Sequence, residues 1–111
     1  MSQNELSLHA TSVDVKGKGI LIFGKSGMGK SSLALQLIDR GAVLVSDDQT
    51  LLRYENEKVI LQPPGLLQGM MEVRGVGLCA FPFQPQAYLG LCVEIAEKDE
   101  LDRVERVSAG D

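Results

Sequence analysis

Gly24-Lys25-Ser26-Gly27-Met28-Gly29-Lys30-Ser31 fits the pattern GxxxxGK[ST], with the apolar run Ile20-Leu21-Ile22-Phe23 before it and Ser32-Leu33-Ala34-Leu35-Gln36-Leu37-Ile38 after it. The order is strand, glycine loop, helix, which is the context in which this pattern carries chemistry. In such a loop the backbone N–H groups cradle phosphate oxygens and the helix N-terminus adds its partial positive charge. Lys30 would neutralise the outer phosphates, and Ser31 would offer its hydroxyl to Mg²⁺. A Gly-rich turn that merely ends in Lys-Ser is the bland alternative, and it rarely comes with both flanking elements. The expectation is a nucleotide site.

Working outward, the chain predicts alternating short elements. Ser12-Val13-Asp14-Val15 reads as a strand, Lys16-Gly17-Lys18-Gly19 as a tight turn, and Ile20 to Phe23 as its partner strand. Beyond the loop, the polar positions Ser32, Gln36, Asp39 and Arg40 recur at helical spacing, so Leu33, Ala34, Leu37 and Ile38 share a face, with Leu35 beside it. Gly41 suits the helix end. Ala42-Val43-Leu44-Val45-Ser46 is a third strand. Residues 50–54 and 58–62 read as a hairpin on the sheet edge, stopped by Pro63-Pro64-Gly65. A short helical turn is expected over 65–71, strands over 76–81 and 89–95, and a terminal helix over 97–107.

Composition sets broad bounds. The 111 residues are 44% apolar, which suits one small globular domain. A net charge of -4 with no concentrated basic face argues against nucleic acid as a partner. No apolar run approaches the ~20 residues that span a bilayer. Met1-Ser2-Gln3-Asn4-Glu5-Leu6 has neither the basic start nor the apolar core of a secretory signal, so a cytoplasmic protein with no membrane partner is expected. Cys79 and Cys92 lie in apolar stretches and read as core thiols in a reducing compartment. The single His9 adds too little to them for a metal site.

The second chemical feature is Asp47-Asp48, at the carboxyl end of an apolar strand, where ligands gather in sheets of this kind. One carboxylate could hold Mg²⁺ while the other takes a proton from an attacking hydroxyl, since phosphoryl transfer needs neutralised charge and an oriented nucleophile. The alternative is a plain turn, which aspartates often open.

Taken together, Val45-Ser46-Asp47-Asp48 soon after the loop and helix, and Met71-Glu72-Val73-Arg74-Gly75-Val76-Gly77 further on, resemble the catalytic domain of HPr kinase/phosphorylase. The latter segment matches the family's hallmark, apolar-Glu-apolar-Arg-Gly-apolar-Gly, at each position. Leu8-His9-Ala10 followed by Val13-Asp14-Val15 resembles its histidine-bearing strand. What the resemblance implies is an α/β, P-loop-containing fold similar to phosphoenolpyruvate carboxykinase, a mixed sheet with few helices. It also implies an ATP- and Mg²⁺-dependent serine kinase acting on the phosphocarrier HPr of the bacterial phosphotransferase system, with phosphate-dependent dephosphorylation in many members. By the same resemblance Asp47 is the catalytic carboxylate, Lys30 acts on the outer phosphates, and His9 lies near the phosphate. Ser31 and Asp48 serve the metal, and Glu72, Arg74 and Gly75 form the signature segment. An ordinary surface histidine is the other reading of His9, and a structural ion pair that of Glu72 with Arg74.

Two positions depart from the family pattern: Ser32 stands where many members have an acidic residue, and Ala42 where they have a histidine. The expected organisation is a single P-loop kinase domain over 1–111, resembling the short form and stopping before most of the C-terminal region that helps longer members grip HPr and build a hexamer. A homo-oligomer is left open. Two further readings stand beside the protein kinase. One is a small-metabolite kinase, which the 72–77 segment disfavours. The other is a non-catalytic nucleotide sensor, which would keep binding and signalling after Asp47→Asn.

Overall fold

Strand β3 (Lys18–Gly24) is apolar on both faces, and the fold is arranged to bury both. The computed structural model describes residues 5–25, 29–65 and 68–96. Nine strands and one helix appear among them. β1 (Glu5–Leu8), β2 (Ala10–Val15), β3, β4 (Val43–Ser46), β5 (Thr50–Glu55), β6 (Lys58–Gln62) and β9 (Ala87–Ile95) form one sheet in the order β1-β5-β6-β9-β3-β2-β4. β7 (Met70–Val73) and β8 (Gly77–Ala80) pair as a separate hairpin, and α1 spans Lys30–Asp39.

The directions of the strands decide where the site forms. β2 is antiparallel to β3 and to β4, whereas β9 is parallel to β3. The carboxyl ends of β3, β4 and β9 and the amino end of β2 therefore lie at one edge of the sheet. This is the mixed α/β sheet with few helices that the sequence leads one to expect.

Alternation along β3 sorts the core. Ile20 and Ile22 pack with Val13, Ala34, Leu44 and Met71 on the helix side; Leu21 and Phe23 pack with Ala10, Val45, Leu61 and Cys92 on the other. A register shift beside Gly19 lets β9 present Leu89 and Cys92, three apart, to the same face. Helix α1 covers the first side with the stripe read from the sequence, Ala34 fully buried and Leu33, Leu37 and Ile38 partly so. It ends where Gly41, at φ 109°, donates to Ile38 C=O while Ala42 N–H reaches back to Leu37 C=O. That pair of bonds is the Schellman closure, and its positive φ suits glycine.

Both tight hairpins use two-residue turns at positive φ, Lys16-Gly17 and Asn56-Glu57, whose twist matches that of the flanking strands. Asp14 supports the first by accepting from Gly17 N–H at 2.9 Å. The 50–62 hairpin is not on the sheet edge. β1 pairs outside β5 and β9 pairs with β6, so that Leu52 and Leu61 join Leu8 from β1 and Ala87 from β9 in one apolar cluster.

The helical turn expected over 65–71 is also corrected. Met70 and Met71 open β7 opposite Ala80 and Cys79, and Met71 is fully buried in the helix-side core, so strand pairing and burial override the local preference. Residues 66–67 and the helix expected over 97–107 lie outside the described residues. Cys79 and Cys92 are free thiols, each half-buried rather than fully enclosed, and burial pushes the Cys92 thiol up from its ordinary value. Among the described residues no helix is long and apolar enough to cross a membrane.

Leu44 is fully enclosed and Leu78 is 64% exposed. Leu44→Ala should therefore lower unfolding stability by about 2–5 kcal/mol. Leu78→Ala should change it by less than about 0.5 kcal/mol. Urea denaturation of the two variants beside wild type checks both values.

Candidate functional site

At the sheet edge defined above, β3 ends on Gly24. A Cβ added there would lie 2.5 Å from the backbone oxygen of Ile95 on β9, so only glycine lets the strand turn out of the sheet at this point. Ser26, Gly27 and Met28 lie outside the described residues. The chain returns at Gly29, whose αL conformation (φ 96°) opens α1. Among the described residues no side chain caps this helix start, and its first turn carries no acidic residue, so its partial positive charge meets no carboxylate from the helix itself.

Lys30 is only 6% exposed, yet it carries an ammonium group. Its Nζ donates to the carbonyls of Gly24 at 3.0 Å and Lys25 at 3.2 Å, folding the side chain back over the segment that precedes it. A buried cation held by two neutral carbonyls, next to an uncapped helix start, suits an anionic ligand. Lys25 itself is exposed.

The Asp47-Asp48 pair sits across from this helix start. Ser31 Oγ donates to Asp47 Oδ1 at 2.8 Å, and Thr11 Oγ1 donates to the same oxygen at 3.0 Å. Neither hydroxyl touches Oδ2. Asp48 occupies the left-handed region at φ 69°, and Gln49 N–H closes a three-residue turn onto Asp47 C=O at 2.7 Å. This is a sparsely populated geometry for a residue with a side chain, so surrounding contacts must hold it. They do: Asp48 N–H donates to Thr11 Oγ1 at 3.2 Å, and Ser46 Oγ donates to Gln49 C=O.

Beneath the turn lies a second hydroxyl layer. Thr50 Oγ1 donates to Ala10 C=O at 2.9 Å, which uses its one hydrogen, so the 3.1 Å bond between Thr50 and Ser12 is donated by Ser12. Thr11, Ser12, Ser46 and Thr50 are all buried, and each has found a partner, as buried hydroxyls must. None of the four was singled out from the sequence. The signal available was a pair of hydroxyl residues near the start of a strand, next to the apolar Ala10 and Val13.

A cleft of about 830 Å³ joins these parts. Gly29, Lys30, Ser31, Asp47 and Asp48 line one side, and the β7–β8 hairpin turn lines the other with residues 72–77. The structure thus brings the signature residues Glu72, Arg74 and Gly75 to the same cleft as Gly29, Lys30 and Ser31. Glu72 and Arg74 form no ion pair with each other, because Arg74 has left the strand and stands in the turn that Val76 N–H closes onto Val73 C=O. His9 lies just ahead of β2, with Nε2 3.5 Å from Asp48 Oδ1, both side chains being largely exposed. Such a surface pair contributes little to stability, and it places an imidazole beside the acidic turn.

The family described as HPr Serine kinase C-terminal domain matches residues 2–110. Among curated proteins, the HPr kinase/phosphorylase of Shouchella clausii is 37% identical over 109 residues, covering 91% of this chain and 35% of that protein. Among solved structures, the Hpr(Ser) kinase/phosphatase from Coxiella burnetii superposes with a TM-score of 0.78 at 28% identity, covering 92% of this chain and 64% of that one. The chain spans about a third of the length of the curated relative it matches.

Removing a hydroxyl from the layer under the turn should be costly. Thr50→Val leaves the Ser12 hydroxyl without its acceptor and should lower stability by about 1–3 kcal/mol. Gln62→Ala, which loses only an exposed bond to Gln86, should be nearly neutral in the same denaturant titration.

Proposed function

Since the chain belongs to the HPr serine kinase C-terminal domain family, we propose that it is a cytoplasmic, nucleotide-dependent phosphotransferase that carries the γ-phosphate of Mg-ATP to a serine of HPr. The observation that carries this reading is the meeting of Lys30, Ser31 and Asp47 at one helix start, with Ser31 bonded to Asp47 at 2.8 Å. The relatives' names, HPr kinase/phosphorylase and Hpr(Ser) kinase/phosphatase, support the acceptor and removal of the group, and the first of them supports phosphate as the agent of that removal.

The residues present fit the implied groups. Gly24, Lys25, Ser26, Gly27, Met28, Gly29, Lys30 and Ser31 would hold the nucleotide phosphates, and Ser31 with Asp48 would hold the metal. Mg²⁺ supplies charge neutralisation and orientation of the phosphates when bound. Asp47 takes the proton of the substrate serine through its second oxygen as the serine oxygen bonds to the γ-phosphorus and the bond to the bridging oxygen of ADP breaks. In reverse, Asp47 returns the proton. His9 stands beside the acidic turn, where it would meet the transferred phosphate, and residues 72–77 line the cleft opposite.

The bond from Ser31 favours a second assignment of the same pair, in which Asp47 serves the metal and Asp48, the more exposed, takes the proton. Mg²⁺ titration separates the two. The variant on the metal side raises the Mg²⁺ concentration required, while the variant of the base lowers kcat at saturating Mg²⁺.

The test of the function is transfer of labelled γ-phosphate from Mg-ATP to purified HPr, run with wild type, Lys30→Ala and Asp47→Asn. The expected outcome is label on an HPr serine with wild type, loss of binding and turnover in Lys30→Ala, and a fall in kcat of about 100-fold or more with ATP binding retained in Asp47→Asn. ATP binding without any label in wild type would mean either that the C-terminal region of longer relatives is needed to grip HPr or that the chain is a nucleotide sensor with another partner.

A further inference from the structure

Thr11 is the fully buried residue that touches both halves of the acidic pair. It lies at the second position of β2 and, by alternation, on the same face as Val13, toward α1. Its hydroxyl has one hydrogen and two lone pairs. The hydrogen goes to Asp47 Oδ1, and a lone pair accepts from Asp48 N–H. The same atom thus sets the rotation of one carboxylate and the backbone position of the next residue, at the turn where Asp48 takes a positive φ.

We propose that Thr11 is a positioning residue for phosphoryl transfer, whose hydroxyl aims the carboxylate of Asp47 and holds the Asp48 backbone in its left-handed turn. The catalytic half of this inference rests on the kinase reading; the hydroxyl clamp stands on the geometry alone. The inference holds for either division of labour between the two aspartates, because Thr11 touches both. With Thr11 and Ser31 both donating to Oδ1, the carboxylate cannot rotate about its terminal bond without losing two hydrogen bonds. Its second oxygen then keeps one direction. A valine at position 11 would keep the shape and the burial but leave Asp48 N–H without its acceptor and Asp47 with one donor fewer.

The experiment compares wild type, Thr11→Val and Thr11→Ser in three measurements: Mg-ATP affinity, kcat for labelling HPr, and hydrogen exchange at the Asp48 amide. The expected result for Thr11→Val is ATP affinity within about twofold of wild type, because Thr11 does not line the phosphate cleft. Its kcat should fall about 10- to 100-fold, the scale of a misaimed catalytic group. Asp48 amide exchange should quicken at least about tenfold. Thr11→Ser, which restores the hydroxyl, should recover most of both losses. A folded Thr11→Val variant with wild-type kcat overturns the proposal, as does a loss of kcat that Thr11→Ser does not repair.

If Thr11→Val fails to fold, the wild-type Asp48 amide decides, since an unprotected amide there contradicts the clamp. Wild-type protein that binds ATP but leaves HPr unlabelled counts against the kinase reading of this chain and with it against the catalytic consequence. The Asp48 amide in the same samples still supports or refutes the clamp.

Discussion

One oxygen, Oδ1 of Asp47, ties three elements that are far apart in sequence. Ser31 reaches it from the start of α1 and Thr11 from the start of β2, while Asp47 itself follows β4. Two charge-assisted bonds to a single carboxylate oxygen are stronger than bonds between neutral groups, and they are directional. The distance between helix start and acidic turn, and so the width of the cleft at that end, depends on this junction. The buried hydroxyls of Ser12, Ser46 and Thr50 form the floor that keeps the turn from relaxing.

The sheet behind this junction treats its two faces differently. One face has α1 and the β7–β8 hairpin upon it, and Met71 from that hairpin is part of the core. The opposite face has no helix among the described residues. There Leu8, Phe23, Leu52, Leu89 and Cys92 surround a second cleft of about 620 Å³ that begins at Gly24 and Lys25. A sheet that is apolar on both sides but carries a helix on one puts its polar chemistry at the strand ends. There the backbone leaves the ladder, and its N–H and C=O groups become available to ligands.

Much of this was legible in the chain. The hydrophobic pattern of 20–23, the stripe 33, 34, 37 and 38, and Gly41 mark strand, helix and stop because period and capping are local properties. The 58–62 strand was equally plain, but its place inside the sheet was not. Edge or interior is settled by β1 and β9, which lie far away along the chain. The same limit explains Met70 and Met71, whose local sequence suits a turn but whose burial needs a strand partner at Ala80 and Cys79.

What the sequence by itself determined is the chemistry on offer: the glycine segment with Lys30 and Ser31, the pair Asp47-Asp48, His9, and the segment carrying Glu72, Arg74 and Gly75. The glycine segment and the aspartate pair are read from residue type and spacing, and His9 and the 72–77 segment from the resemblance to the family; both readings survive without coordinates. Only the tertiary structure decided that Lys30, Ser31, the two aspartates and the 72–77 segment line one cleft while His9 lines the other, that Glu72 and Arg74 part at a turn, and that Thr11 is bonded to the acidic pair. The physical reason is that a hydrogen bond between residues 36 positions apart depends on the pairing of β2 with β4 and on the direction in which α1 starts. Strand order and register set both, and no local pattern records them.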